Sequence, residues 1–88
     1  MSGIDIYTER AVLLSLLSRH YTAHVVPVTD PEPGFEWAVC LHINGKQHAW
    51  HIADHDLHLF KRLLRTDGHY DGHTTQEKYE SLMKAAGL

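Results

Sequence analysis

The chain has 88 residues and a formal charge of −3 with neutral histidines. This length predicts one domain over residues 1–88, and the acidic balance argues against nucleic acid as the main partner, because phosphate neutralisation needs clustered Lys and Arg. The single cysteine, Cys40, excludes an internal disulfide. The N-terminus lacks signal-peptide regions, and no apolar run approaches the ~20 residues of a membrane helix. The composition therefore predicts a cytoplasmic protein without a membrane segment.

A first helix is predicted from a cap at Asp5 or Thr8 to about Tyr21. Its apolar residues cover more of the helix surface than the stripe that a surface helix needs; they are Val12, Leu13, Leu14, Leu16 and Leu17. The pattern indicates a helix that is either well buried or used in self-association.

A short strand is predicted over residues 24–29, with three valines inside it. Pro27 cannot donate a backbone hydrogen bond, which favours a strand at the edge of a sheet. The following segment, residues 30–34, is predicted to be a loop because of its Pro and Gly content.

The segment from Phe35 to Asp54 has the pattern of a complete β-hairpin. Asn44-Gly45 is typical of a type I′ turn, which fixes the register of the two arms. In that register Trp37 and Trp50 share one apolar face. The opposite face carries small and partly polar side chains, which predict a surface that a helix or a second subunit approaches closely; they include Ala38, Cys40, His42, Ala49 and His51.

Two helices are predicted to follow the hairpin. Asp54 is expected to cap the first, over residues 55–65, with an inner face of Leu57, Phe60, Leu63 and Leu64. Thr74 and Glu77 form a capping box for the second, which runs to about Ala86 and stops at Gly87. The predicted class is α+β: a helix, a three-stranded antiparallel meander and two C-terminal helices.

Nine histidines are unusual in a chain of this length. His51, His55 and His58 are candidate metal ligands, because imidazole suits zinc, iron or nickel. The alternative is a set of solvated histidines at the start of a helix, and the sequence lacks the full ligand pattern of a structural zinc site. No cofactor is therefore predicted, and a metal-binding module or metal-dependent hydrolase remains the alternative function.

Tyr70-Asp71-Gly72-His73 resembles the short Trp-Asp-Gly-His element of small actinobacterial phage proteins, with Tyr70 where Trp is usual. The resemblance covers about the last 20 residues. It implies a phage or mobile-element origin and supplies no function.

Together these patterns predict a small non-enzymatic protein-interaction module that binds a host protein or a second copy of itself. The predicted contact residues lie on the first helix and on the small-residue face of the hairpin: Leu13, Leu16, Leu17, Ala38, Cys40, His42, Ala49 and His51. A basic cluster of Lys61, Arg62 and Arg65 raises a nucleic-acid alternative, which Asp54 and Asp56 at the start of the same helix disfavour.

Overall fold

A computed structural model describes residues 6–72 and 75–88 of the chain. The element order confirms the predicted α+β class, with two α-helices, a three-stranded sheet and one 3-10 helix. In chain order the elements are α1 (Ile6–Leu17), β1 (Thr22–Pro27), β2 (Trp37–Ile43), β3 (Lys46–Ile52), the 3-10 helix (Asp54–Leu63) and α2 (Gln76–Ala85).

The sheet is an antiparallel meander in the order β1-β2-β3. Asn44 and Gly45 have φ angles of 53° and 81°, as a type I′ turn requires. The turn sets the predicted register, in which Trp37 pairs with Ile52 and Val39 pairs with Trp50. Both tryptophans therefore belong to the apolar face, as predicted.

Strand β1 begins and ends two residues earlier than predicted, but it is an edge strand, as Pro27 indicated. The outer side of β1 is covered by the segment that follows the 3-10 helix. Arg65 N donates to Val25 O at 2.8 Å, and Tyr70 N donates to Pro27 O at 2.9 Å. The backbone N and O atoms of one strand residue point to the same side of the strand. The nitrogen of Pro27 therefore points away from β2, so no hydrogen bond between β1 and β2 is lost.

The main hydrophobic core lies between the apolar face of the sheet and the helices. Leu14 of α1, Phe60 of the 3-10 helix and Leu82 of α2 are buried against Val39, Leu41 and their neighbours. Burial of apolar side chains of this size supplies about 1.5–3 kcal/mol each relative to exposure. The core therefore holds the two α-helices and the 3-10 helix against the apolar face of the sheet.

Helix α1 is shorter than predicted, because it ends at Leu17 and tight turns lead to Tyr21. Asp5, one of the two predicted caps, lies outside the described residues. Thr8, the other, is within the helix and does not cap it. The broad apolar surface is partly buried, since Leu14 is in the core while Leu16 remains 48% exposed.

The predicted second helix is a 3-10 helix with an interruption at Phe60, where φ is −125° and ψ is 20°. The predicted cap at Asp54 is wrong, because its Oδ1 accepts from the N–H of Glu36 and Ala53 occupies the cap position. Phe60 is buried in the core, and Leu57 and Leu63 are partly buried against it. Leu64 leaves the predicted inner face and bridges to Val25 in extended conformation.

Helix α2 is capped at both ends by its own residues. Thr75 Oγ1 accepts from Lys78 N at 3.2 Å, whereas the predicted cap, Thr74, lies outside the described residues. At the other end Gly87 has a φ of 83°. Gly87 N and Leu88 N donate to Lys84 O and Met83 O, which is a Schellman motif and confirms the predicted glycine stop.

Candidate functional site

The described part of the Tyr-Asp-Gly-His sequence, residues 70–72, is here called the motif segment, and His73 lies outside the described residues. Tyr70 joins the segment to the end of β1: its N–H donates to Pro27 O, and its carbonyl accepts from Thr29 N at 3.0 Å. Its ring packs edge-on against His51 of β3, with centroids 5.8 Å apart. The motif segment therefore connects the two outer strands of the sheet.

Gly72 is required by the packing of the motif segment on itself. A Cβ atom placed on Gly72 would lie 2.6 Å from Cζ of Tyr70, well inside van der Waals contact. The Gly72 carbonyl lies 3.2 Å from Nε2 of His51. Because a carbonyl oxygen only accepts, Nε2 carries the proton of a neutral His51 ring. The aromatic residue and the glycine of the motif thus fit one another and hold His51 in one orientation.

Asp71 holds the loop that follows β1. Its carboxylate accepts a hydrogen bond from the Thr29 hydroxyl and lies 3.4 Å from Nε2 of His69. The aspartate of the motif is therefore engaged in fixing residues 69–71 against the start of the 29–35 loop.

A cleft of about 260 Å³ opens beside the motif segment, between the N-terminal ends of α1 and α2, the 29–35 loop and the end of β3. We call it the acidic cleft. Its walls are aromatic and its rim is charged; the lining residues are Tyr7, Arg10, Asp30, Glu32, Phe35, Trp50, His51, Thr75 and Gln76.

Two aromatic groups form the walls of the acidic cleft. The Tyr7 and Phe35 rings meet edge to face at 5.1 Å. In the second group the Arg10 guanidinium lies 5.2 Å from the Trp50 ring and 4.2 Å from the Tyr79 ring. Its Nη2 donates to Gln76 Oε1 at 2.9 Å, so the Arg10 cation already has partners.

The rim of the acidic cleft carries excess negative charge. Asp30 and Glu32 are exposed, and within residues 6–72 and 75–88 neither carboxylate has a hydrogen bond or ion pair. The Thr75 hydroxyl faces the cleft but already accepts the capping hydrogen bond from Lys78. The cleft thus combines apolar walls with two carboxylates that can still accept hydrogen bonds.

The three candidate metal ligands do not share one site. His51 lies against Gly72 on the sheet, whereas Nδ1 of His58 donates to the backbone carbonyl of His55 at 2.9 Å. His55 itself faces Thr8, with 3.3 Å between Nε2 and Oγ1. In the described part of the chain no group of three or more His, Cys, Asp or Glu side chains is placed to hold a metal ion.

The eight predicted contact residues are divided between surface and interior. Leu17, Ala38 and Cys40 are buried within the chain, so they offer no surface to a partner. Partial or greater exposure remains at Leu13, Leu16, His42, Ala49 and His51. A role of these residues in binding stays a prediction, and only His51 belongs to the acidic cleft.

The Cys40 thiol should react slowly in the folded protein. The residue is 1% exposed, and burial raises the pKa of the thiol to about 11. The thiolate is the reactive form, so both access and ionisation are reduced. At pH 8 we expect alkylation of native protein to be slower than that of urea-unfolded protein by about 100-fold or more. Equal rates, measured by mass spectrometry, would show that Cys40 is accessible.

The stability of the fold should fall in mildly acidic solution. Burial, then repulsion from His42 and from Arg65, lower the pKa of His24, and the two imidazole rings lie 5.5 Å apart. Burial and Lys46 also lower the pKa of His48. A histidine whose pKa is lowered by folding binds a proton more readily in the unfolded chain. The free energy of unfolding is therefore highest above about pH 6.5 and decreases as the pH falls below that value.

Urea unfolding at pH 7.5 and 5.5 measures this effect. His24→Gln should make stability less dependent on pH, whereas His20→Gln, at an exposed position after α1, should leave the dependence as it is. An equal loss of unfolding free energy between pH 7.5 and 5.5 in wild type and His24→Gln would show that His24 does not cause the pH dependence.

Sequence reasoning missed most of the acidic cleft. Tyr7 and Arg10 were not singled out. Trp50 was placed on the apolar face of the hairpin, and Asp30 and Glu32 lay in a predicted loop. The available signal was the position of the Tyr-Asp-Gly-His sequence immediately before α2, because the cleft opens at the N-terminal end of that helix.

The fold and the cleft define a small α+β domain in which an aromatic-Asp-Gly segment joins two outer strands beside an aromatic, acidic cleft. The chain belongs to the WDGH domain family, whose model matches residues 3–85. The predicted resemblance is therefore confirmed, but its restriction to the last 20 or so residues is wrong. No curated protein and no solved structure matches the chain. None of the helices within the described residues is long and apolar enough to cross a membrane.

Proposed function

We propose that this domain is a non-enzymatic protein-interaction module whose acidic cleft binds a lysine or arginine side chain of a partner protein. The observation that carries the proposal is the pairing of aromatic walls with two carboxylates, Asp30 and Glu32, that have no partner among the described residues. A long cationic side chain has matching chemistry, since its methylene groups are apolar and its end is charged.

The aromatic rings of Tyr7 and Phe35 strengthen the case for a cation. A cation over an aromatic face gains about 0.5–1 kcal/mol at an exposed site and more when water is excluded. The lining of the cleft already contains this interaction, because Arg10 lies over Trp50 and Tyr79.

The lining of the cleft supports binding rather than catalysis. Its hydroxyl groups belong to Tyr7 and Thr75, and the latter caps α2. Within residues 6–72 and 75–88, neither hydroxyl is hydrogen-bonded to a histidine in the manner of an activated nucleophile. We therefore assign the cleft to recognition, with no cofactor.

The resemblance of the Tyr-Asp-Gly-His sequence to the element of small phage proteins supports a phage origin. On that basis the partner is a protein of the host cell, met in the host cytoplasm. A second copy of this chain is the alternative partner, because Leu16 remains exposed on α1 and exposed apolar groups favour contacts when they are contiguous.

A peptide titration tests the cleft without knowledge of the partner. The probe is the capped tripeptide acetyl-Gly-Lys-Gly-amide, added to isotope-labelled protein and followed by NMR chemical shifts. We expect shifts at Tyr7, Phe35 and Glu32, and weaker binding by about three- to tenfold in Asp30→Asn and Glu32→Gln, because each removes one carboxylate.

Asp67→Asn is the matched control, since it removes one negative charge at an exposed ion pair with Arg65, away from the cleft. It should change the affinity by less than about twofold. The tripeptide with Glu in place of Lys should not bind. Equal binding of the Lys and Glu peptides, or equal loss in Asp67→Asn, would refute the proposal.

A further inference from the structure

A second concave site lies at the other end of α1, between the turn that follows the helix and the 3-10 helix. It has a volume of about 200 Å³ and is lined by charged, polar and apolar side chains. We call it the basic groove, after the cations that line it: Arg19, Lys61 and Arg62. The chain has a formal charge of −3, yet the Lys, Arg, Asp and Glu side chains that line this groove within the described residues are all cationic.

The cations of the basic groove are not paired with any carboxylate in the part of the chain that the structure describes. Within the described residues, Arg19, Lys61 and Arg62 make no side-chain hydrogen bond or ion pair, and no carboxylate lines the groove. Arg65, by contrast, donates from Nε and Nη2 to Asp67 at 3.0 and 2.8 Å. The predicted basic cluster is therefore split: Arg65 is neutralised by its neighbour, while the other two face the groove together with Arg19.

The interruption of the 3-10 helix explains how the cations meet. Phe60 leaves helical geometry and buries its ring in the core, and Lys61 and Arg62 follow it directly. Arg19 comes from the turn after α1, where the carbonyl end of a helix favours a positive charge. Two separate elements thus bring their cations to one groove.

The other polar groups define what the groove can bind. The hydroxyls of Ser15 and Ser18 donate to backbone carbonyls of α1, so their oxygens are acceptors on the groove side. His58 Nδ1 donates to the His55 carbonyl, which leaves Nε2 as the unprotonated nitrogen of a neutral ring. Recognition of an anion therefore depends on the three cationic side chains.

We propose that the basic groove binds the phosphoryl group of a small phosphorylated ligand. Guanidinium groups match phosphate oxygens with paired donors, and Lys61 adds a point charge. The volume of the groove suits one such group with a short organic substituent, which Leu59 and Leu63 at its edge would contact. Nucleic acid is disfavoured, because Arg65 is neutralised and carboxylates outnumber cations over the chain.

The test is a titration of isotope-labelled protein with inorganic phosphate, with phenyl phosphate and with sodium chloride at equal ionic strength, all followed by NMR. We expect both phosphates, but not chloride, to shift the signals of Arg19, Lys61 and Arg62. Tighter binding of phenyl phosphate assigns the site to an organic phosphate monoester, and equal binding assigns it to free phosphate.

Variants locate the site and guard against general charge effects. Arg19→Gln and Arg62→Gln should each weaken phosphate binding by about three- to tenfold. Lys84→Gln removes a charge from the last turn of α2 and should change the affinity for phosphate by less than about twofold. All three positions are exposed, so the variants should fold.

Three results would overturn the proposal. These are equal responses to phosphate and chloride, equal losses in Lys84→Gln and Arg62→Gln, or binding confined to a single-stranded oligonucleotide with a steep dependence on salt. The last result would assign the groove to nucleic acid instead. None of them bears on the acidic cleft, which is lined by other residues.

Discussion

Gly72→Ala is expected to destabilise the fold by about 1–3 kcal/mol, the usual range for forcing an extra methyl into packed structure. The added Cβ would lie 2.6 Å from Cζ of Tyr70. The Tyr70 ring would have to move, and it would lose its packing against His51. Urea unfolding measures the loss, and NMR should show the largest changes at His51, Tyr70 and the lining of the acidic cleft.

Gly68→Ala is the matched control for this change. A Cβ there would meet only Cγ1 of Val26 at 3.9 Å, an ordinary contact. It should change the free energy of unfolding by less than about 0.5 kcal/mol. In a Tyr70→Ala background the Gly72→Ala change should also become nearly neutral, since the ring it clashes with is gone. Equal effects of Gly72→Ala with and without the Tyr70 ring would show that this packing does not explain the glycine.

Asp56→Ala is expected to lower the free energy of unfolding by about 1.5–3 kcal/mol, the range for hydrogen bonds to a charged group. Asp56 is only 2% exposed and accepts from the Thr8 hydroxyl, with 3.1 Å to Oδ1. This hydrogen bond joins the 3-10 helix to the first turns of α1, which carry Tyr7 and Arg10 into the acidic cleft. Losing it should therefore reduce stability and loosen one wall of the cleft.

Thr8→Val tests the same hydrogen bond from the other side. It leaves the buried carboxylate without the Thr8 donor, so we expect a loss of about 1–3 kcal/mol. Asp67→Ala, at an exposed ion pair, should reduce stability less than either of these variants, because solvent screens an exposed pair. Thermal and urea unfolding of the three variants decide the question. A loss for Asp56→Ala no greater than that for Asp67→Ala would contradict the proposed importance of the Thr8–Asp56 hydrogen bond.

The hairpin is the part of the fold that sequence reasoning predicted most completely. Its register depends on Asn44-Gly45 and on strict alternation of side chains, and both are local properties of the chain. The edge position of β1 could also be predicted from the sequence, because Pro27 has no backbone N–H to donate. Gly87 ends α2 as predicted, since glycine adopts a positive φ without a steric penalty.

The 3-10 helix could not be predicted from the same kind of pattern. Its apolar residues at 57, 60 and 63 fit either helix type. The difference is decided by contacts with distant residues: Asp54 bonds to the Glu36 backbone, and Phe60 packs in the core beneath α1 and the sheet. Tertiary contacts of this kind override a weak local preference.

The acidic cleft was inaccessible to sequence reasoning for a related reason. It is assembled from α1, the 29–35 loop, β3 and α2, and its lining residues are spread from Tyr7 to Gln76. The resemblance of the last segment to a phage element pointed to one border of the cleft. It did not reveal that Tyr70 contacts both outer strands and that Gly72 contacts β3. Through these contacts the motif segment helps to hold the sheet together.

Entry of a cationic side chain into the acidic cleft is tested most directly by isotope-filtered nuclear Overhauser measurements between labelled protein and an unlabelled capped Gly-Lys-Gly peptide. We predict contacts from the ε-methylene protons of the lysine to the ring protons of Phe35 and Tyr7, lost in the Asp30→Asn, Glu32→Gln double variant. Contacts to other surfaces only, or contacts unchanged in the double variant, would contradict the account.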